Sequence, residues 1–187
     1  MKIALVGEAP NDTTAVRNLL SQKYKDLSFT TLLERITGSM LDNARSLELL
    51  RKEFLSQKPD LVIFIRDLDA LEKTGKLKLA ERVKKFNASN KIVQNKGILM
   101  LNIYELEALI LADIGTFNKH YGCSLVVDDP MKVPEPKEFL IRATKSGKRF
   151  TIAHNPQLFS LLRFNIVREN CKCFSSFLEA FELAIVN

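Results

Sequence analysis

Cysteine and histidine are scarce in this 187-residue chain, with three of one and two of the other. Cys123, Cys171 and Cys173 form an odd set without a Cys-x-x-Cys spacing. That argues against a disulfide framework and a zinc site, and leaves structural thiols as the expectation. No apolar run approaches the ~20 residues of a membrane-spanning helix. Met1 to Val6 is too short for a secretory signal and leads directly into a strand pattern, so a cytoplasmic protein with no membrane partner is expected. A Gly-x-x-x-x-Gly-Lys-Ser/Thr loop is missing, which argues against nucleotide hydrolysis of the P-loop kind. Internal repeats and low-complexity tracts are also missing.

What is present reads as an ordinary globular chain. Apolar residues make up 46% and charged residues 27%, which disfavours disorder. The length suits one domain with a real core. A net charge of +6 points toward a polyanionic partner such as nucleic acid.

The most informative stretch runs from Asp60 to Asp69. Leu61 to Ile65 are apolar without alternation, the pattern of a strand buried on both faces of a parallel sheet. Asp67 and Asp69 follow at its C-terminal end, where open α/β sheets place their ligands. In extended geometry, side chains at i and i+2 point the same way, so both carboxylates would converge on one spot. Two such charges repel unless a cation lies between them, which favours Mg²⁺ or Mn²⁺. The competing reading makes one of them the N-cap of the next helix.

Around this stretch the chain alternates strands and helices. Lys2 to Val6 reads as a buried strand, Gly7 to Asp12 as the turn after it, and Asp12 or Thr13 as the cap of a helix to about Lys25. Glu8 therefore also lies at a strand's C-terminal end, beside Asp67 and Asp69 if the strands are parallel. Leu27 to Leu33 is a second strand, followed by a polar turn around Gly38 and a helix from Asn43 to Gln57. A Lys-rich helix is expected over Leu71 to Phe86, carrying Lys73, Lys76 and Arg82 either as a solvated face or as phosphate contacts. Gly97 to Ile103 is a further strand, continuing into a helix over Tyr104 to Asp113. Glu105 and Glu107, two apart, would face opposite sides of that helix. Glu105 is favoured as the metal-facing one because it lies nearest the strand end, with Glu107 as a first-turn dipole partner.

Beyond Gly115, prolines separate shorter segments. Glu135 to Arg142 and Ser175 to Val186 read as helices and Thr144 to Arg149 as a basic loop. Lys148 and Arg149 are candidate phosphate contacts, and His154 is a candidate acid or base or a capping histidine. The expected architecture is α/β, with a mainly parallel sheet flanked by helices over residues 1–115 and a small helical cap over 116–187.

The turn Gly7-Glu8-Ala9-Pro10-Asn11-Asp12, with Asp67-Leu68-Asp69 after a later strand, resembles the Toprim fold of topoisomerases, primases and OLD-family nucleases. The first turn is similar to that fold's Glu-Gly-Pro-Thr-Asp stretch, with Ala9 where glycine is usual. Glu105 to Asp113 resembles the Glu-Leu-Glu-Ala-Trp-Leu-Leu-Ala-Asp segment of a bacterial Toprim-like family, with Leu109 in place of tryptophan. Pro136-Lys137, Lys148 and Ser175-Ser176-Phe177 resemble that family's later positions. The resemblance implies a Rossmann-like fold and phosphodiester hydrolysis dependent on Mg²⁺ or Mn²⁺, with two ions. It further implies an ABC-type ATPase partner in bacterial defence. Glu8, Asp67, Asp69 and Glu105 would then hold metal, and Lys148 would stabilise phosphate or the leaving group.

Other functions fit less of the chain. A glycosyltransferase would use Asp67 and Asp69 but leave Glu8 and the Glu105 helix without a task. A haloacid-dehalogenase-like phosphatase needs its Asp-x-Asp after the first strand, where Glu8 stands. The alternative from another class is a non-catalytic subunit that binds nucleic acid or a protein partner.

Overall fold

The apolar runs become the strands of one sheet in the computed structural model, which describes residues 1–34, 36, 40–41, 43–71, 74–144 and 146–186. The strands are β1 (Lys2–Val6), β2 (Ser28–Thr31), β3 (Leu61–Asp67) and β4 (Gly97–Asn102). They lie in the order β2-β1-β3-β4 and every neighbouring pair is parallel. The turn expected around Gly38, and Lys73, fall outside the described residues.

Alternation along each strand divides the apolar side chains between two layers. Ala4, Val6, Val62 and Phe64 face one side, where α2 (Ala44–Gln57) contributes Leu50 and Phe54, and α3 (Lys76–Ile92) contributes Phe86 and Ile92. Ile3, Leu5, Ile63 and Ile65 face the other, packing on Ala15, Val16 and Leu19 of α1 (Ala9–Leu20). This second layer also takes in the C-terminal helices α4 (Ala108–Ala112), α5 (Ile114–Tyr121), α6 (Pro136–Ala143), α7 (Asn155–Leu161), α8 (Phe164–Asn170) and α9 (Lys172–Val186). Their Phe117, Leu140, Phe159, Phe174 and Phe181 are buried in the same cluster as β1 and β3. The architecture is thus α/β, Rossmann-like, with a parallel sheet between helical layers.

Local backbone chemistry sets the element boundaries. Asn43 caps α2 by accepting the Ser46 N–H at 2.8 Å. Lys58 ends α2 in the left-handed region (φ 48), and Pro59 turns the chain into β3. The basic helix begins at Lys76 rather than Leu71, and Leu68 to Leu71, Thr74 and Gly75 lie outside any helix. Asp69 has φ 53, and the N–H groups of Thr74 and Gly75 both return to the Leu71 carbonyl. The helix expected from Tyr104 starts only at Ala108, since Tyr104 has φ 59 and its N–H donates to the Ala70 carbonyl. Helices α5, α7 and α8, of eight, seven and seven residues, were not expected from sequence. They are too short to show a helical period and are held by burial of Phe117, Phe159 and Phe164.

Helix α7 lies against α1, where the Asn18 side chain donates to the Pro156 carbonyl at 2.7 Å and Gln22 donates to that of Phe159 at 3.1 Å. This contact carries the start of α7 to the end of the sheet from which α1 emerges. Replacing fully buried Phe159 with Ala is expected to cost about 3–5 kcal/mol in chemical denaturation, through lost burial plus a cavity.

Candidate functional site

The sheet order reverses between β1 and β3, so a crevice opens at the carboxyl ends of these two strands. Gly7 follows β1 directly. A Cβ there would stand 3.2 Å from Thr13 Cγ2 and 3.3 Å from Ile65 Cβ, so the missing side chain lets α1 start close against β3. Glu8 occupies the N-cap position of α1 in extended geometry, yet its side chain makes no capping bond. Asp12 lies in the first turn of the same helix, four residues on and therefore on the same face. Asp67 is the last residue of β3, and its Oδ1 accepts from Nδ2 of Asn102, its register partner on β4, at 2.9 Å. Glu107, just before α4, is 5% exposed and accepts a 2.9 Å hydrogen bond from Nδ2 of Asn155, the fully buried first residue of α7.

These four carboxylates act on one another. The Asp12 pKa is pushed up to about 8, first by burial and then by the charges of Glu107 and Glu8. Burial lifts Asp67 well above the usual carboxylate range against the Asn102 hydrogen bond, with Asp12, Glu107 and Glu8 adding to the rise. Glu107 is raised by burial as well, and Glu105 adds repulsion. Among the described residues none of the four forms an ion pair. Lys137 lowers the pKa of Asp12 and Glu107, but its ammonium is paired with Glu105 at 3.1 Å. A further polar atom is left over, because Oδ1 of Asn155 is buried without a hydrogen-bond partner among the described residues.

Of the expected metal ligands, the structure brings Glu8 and Asp67 together and places Asp69 and Glu105 elsewhere. Strand β3 ends at Asp67, and the positive φ of Asp69 breaks the extended geometry on which convergence of the pair depended. The Asp69 carboxylate is half-exposed and pairs with Arg82 Nη2 at 3.0 Å. Glu105 instead accepts the Lys137 N–H at 3.0 Å and the Lys137 ammonium, serving the start of α6. Glu107 takes the inward position because the turn at Tyr104 rotates the segment before any helix forms. Neither Asp67 nor Asp69 is a helix N-cap, for α3 begins after Gly75.

Sequence reasoning missed Asp12, Glu107 and Asn155 as members of this group. The Glu8 to Asp12 spacing was the available signal for the first. Asn155 gave none, being 48 residues from its partner Glu107.

The expected basic contacts divide in two. Arg82 donates from Nε to the Asp67 carbonyl and Lys78 donates to the Asp69 carbonyl, each at 2.9 Å, so these side chains hold the end of β3 in place. Lys76 is exposed at the start of α3, and Lys148 and Arg149 are exposed on their loop. The Lys148 ammonium donates to the His120 carbonyl and sits 5.8 Å from the Tyr121 ring centre. Tyr121 in turn contacts His154 Nδ1 through its hydroxyl at 2.9 Å.

The donor set of the crevice is all oxygen, which suits a hard cation. Among the described residues no three His, Cys, Asp or Glu side chains are grouped tightly enough to enclose one ion. Mg²⁺ is commonly held by one or two carboxylates, with water and substrate phosphate completing its shell, so the donors present fit that mode.

A family model described as a domain of unknown function, DUF4276, matches residues 8–182, from the first crevice carboxylate to near the end of α9. No curated protein and no solved structure matches the chain. No helix among the described residues is long and apolar enough to cross a membrane.

The raised carboxylates dictate how stability varies with pH. Between its unfolded pKa of 3.8 and its folded pKa of about 8, Asp12 binds a proton in the folded chain and none in the unfolded one. Its contribution is complete below pH 3.8 and is lost as pH rises toward about 8. Without divalent metal, Asp12→Asn should therefore melt above the parent chain near pH 8, with the gap shrinking toward pH 4. Melting temperatures measured across that range in chelator check this.

Proposed function

The chain belongs to the DUF4276 family, and on the geometry of its sheet edge we propose that it is a nuclease dependent on Mg²⁺ or Mn²⁺, hydrolysing phosphodiester bonds of DNA or RNA. One observation carries this reading: at the β1/β3 crevice Asp12, Asp67 and Glu107 are raised by burial and by the charges of one another and of Glu8, with no ion-pair partner among the described residues. A divalent cation is the chemical species that relieves such repulsion. The unpartnered Asn155 Oδ1 beside Glu107 adds a neutral oxygen donor.

When bound, one or two such ions would activate water and offset charge at the phosphate and the leaving oxygen. Glu8 and Asp67 approach the crevice from two strand ends and bind. Asn102 fixes the Asp67 carboxylate through Oδ1, and Oδ2, without a hydrogen-bond partner among the described residues, is the oxygen to face a ligand. Asn155 orients Glu107 in the same way. Asp12, with its pKa near neutrality, can hold or release a proton at its carboxyl oxygen during the reaction. Helix α1 starts at the same crevice, and the partial positive charge of its N-terminus, where Pro10 contributes no N–H, is suited to phosphate. Exposed Lys76, Lys148 and Arg149 serve the polyanion along its length, as Lys73 does in the sequence expectation. Arg82 steadies the strand end. The resemblance over Glu105 to Asp113 extends the proposal to a cytoplasmic defence role beside an ABC-type ATPase.

A second reading has its own observation. Since no three acidic side chains among the described residues enclose an ion, the chain could bind nucleic acid while a partner supplies the chemistry. Incubating the purified protein with Mg²⁺ or Mn²⁺ and plasmid, single-stranded DNA or tRNA separates the two. Cleavage is expected, and Asp67→Asn should reduce it by at least about 100-fold while leaving the circular dichroism spectrum unchanged. A band shift without cleavage in any metal would favour the binding subunit.

Polyanion binding itself should weaken as salt rises, because displaced counterions drive it. In a gel-shift titration of the parent chain between low and moderate salt, affinity is expected to fall at least about tenfold. Lys76→Ala combined with Arg149→Ala should flatten that slope.

A further inference from the structure

Cys171 sits at the junction between α8 and α9, and Cys173 is the second residue of α9. Their sulfurs lie 3.3 Å apart, in hydrogen-bond contact and unbonded. Lys172 between them is helical, which sets the two Cα atoms roughly 5.4 Å apart and within the span of a disulfide. The two thiols have unlike surroundings. Cys171 is fully buried, whereas Cys173 is partly exposed and lines a cavity of about 440 Å³ between β4 and α9. Leu99, Leu101, Met131 and Phe177 wall this cavity, and the exposed Lys172 stands at its rim. It involves none of the crevice acids.

We propose that Cys171 and Cys173 form an oxidation site, at which a small hydroperoxide entering the cavity converts the pair to an intrachain disulfide. Cys173 is the attacking sulfur. It is the sulfur that the cavity reaches, while Cys171 is buried behind it; the hydrogen bond between the two sulfurs and the N–H groups of Ile103, Phe174 and Cys173 itself outweigh burial and hold its pKa below that of an ordinary thiol. The same hydrogen bond, with burial, pushes Cys171 far up, so it waits as a protonated thiol.

The electrons balance in two steps. The Cys173 thiolate attacks one oxygen of the hydroperoxide and the O–O bond breaks. The departing oxygen takes a proton to leave as water or alcohol, and Cys173 becomes a sulfenic acid. Cys171 then attacks the Cys173 sulfur while its proton passes to the leaving hydroxyl. The S–O bond breaks, water departs and the S–S bond forms. Two thiols are oxidised and one peroxide is reduced. In a reducing compartment the pair rests as thiols and closes only under oxidant, the usual behaviour of such pairs there.

The test treats the reduced, full-length chain with equimolar hydrogen peroxide and counts alkylatable thiols by intact mass. The expected product is monomeric and lighter by two hydrogens. It retains a single alkylatable thiol, Cys123, and dithiothreitol restores all three. Cys171→Ser should stop at a sulfenic acid on Cys173 that dimedone traps, and Cys173→Ser should leave Cys171 unmodified. Three alkylatable thiols after treatment, oxidation confined to Cys123, or disulfide-linked dimers in place of the intrachain product would each overturn the proposal. Matching circular dichroism spectra for both serine variants confirm that they report on chemistry and not on folding.

Discussion

The cost of ionising neighbouring carboxyl groups withdrawn from water, set first by burial and then by their mutual repulsion, is the constraint on which the crevice depends. Parallel strands deliver their carboxyl ends to one edge, and here that edge receives Glu8 and Asp67 from neighbouring strands and Asp12 and Glu107 from the segments that follow. Elsewhere the same chain gives its acids cationic partners. Burial alone would raise the pKa of Asp113, but hydrogen bonds from Arg163 and Thr116 bring it below the ordinary range. Glu182 meets Lys23, Tyr24 and Arg168, and its pKa falls to about 2. Among the described residues no cation forms an ion pair with any of the four crevice acids, and Lys137 acts on Asp12 and Glu107 only from a distance. That contrast within one fold supports the proposal of a ligand site at the crevice.

The surrounding structure holds the unfavourable arrangement in place. Gly7 permits the close start of α1, and Asn102 and Asn155 each fix one carboxylate by an amide that carries no charge. Three cations nearby have contacts with other atoms. Arg82 and Lys78 bond the carbonyls of Asp67 and Asp69, and Lys137 pairs with Glu105. They brace the rim of the crevice without neutralising its acids. Burial of Phe159 seats α7 on α1 and thereby sets Asn155 against Glu107.

Much of this was legible in the sequence, and the rest was hidden for identifiable reasons. The uninterrupted run Leu61 to Ile65 announced a strand buried on both faces, and its parallel neighbour put Glu8 and Asp67 on one edge. Asp69 and Glu105 were assigned by assuming regular extended or helical geometry through residues 67–69 and 104–107. Positive φ angles at Asp69 and Tyr104 break that regularity; aspartate tolerates the left-handed region, but tyrosine gives no such signal. Asp12 read as a cap because the helix was started too late; α1 begins at Ala9, which turns Asp12 onto the face of Glu8. The contact between Asn155 and Glu107 is purely tertiary, and no local pattern encodes it.

The most direct test of this account is a calorimetric titration of Mn²⁺ or Mg²⁺ into metal-free protein near neutral pH, repeated in buffers of different ionisation enthalpy. Asp12, with a pKa of about 8, is largely protonated before metal arrives, and a cation can bind its carboxylate only by displacing that proton. Saturable binding with proton release is predicted, and Asp12→Asn should diminish the release. Absence of binding, or binding that releases no protons, would contradict the claim that the crevice is built for a cation.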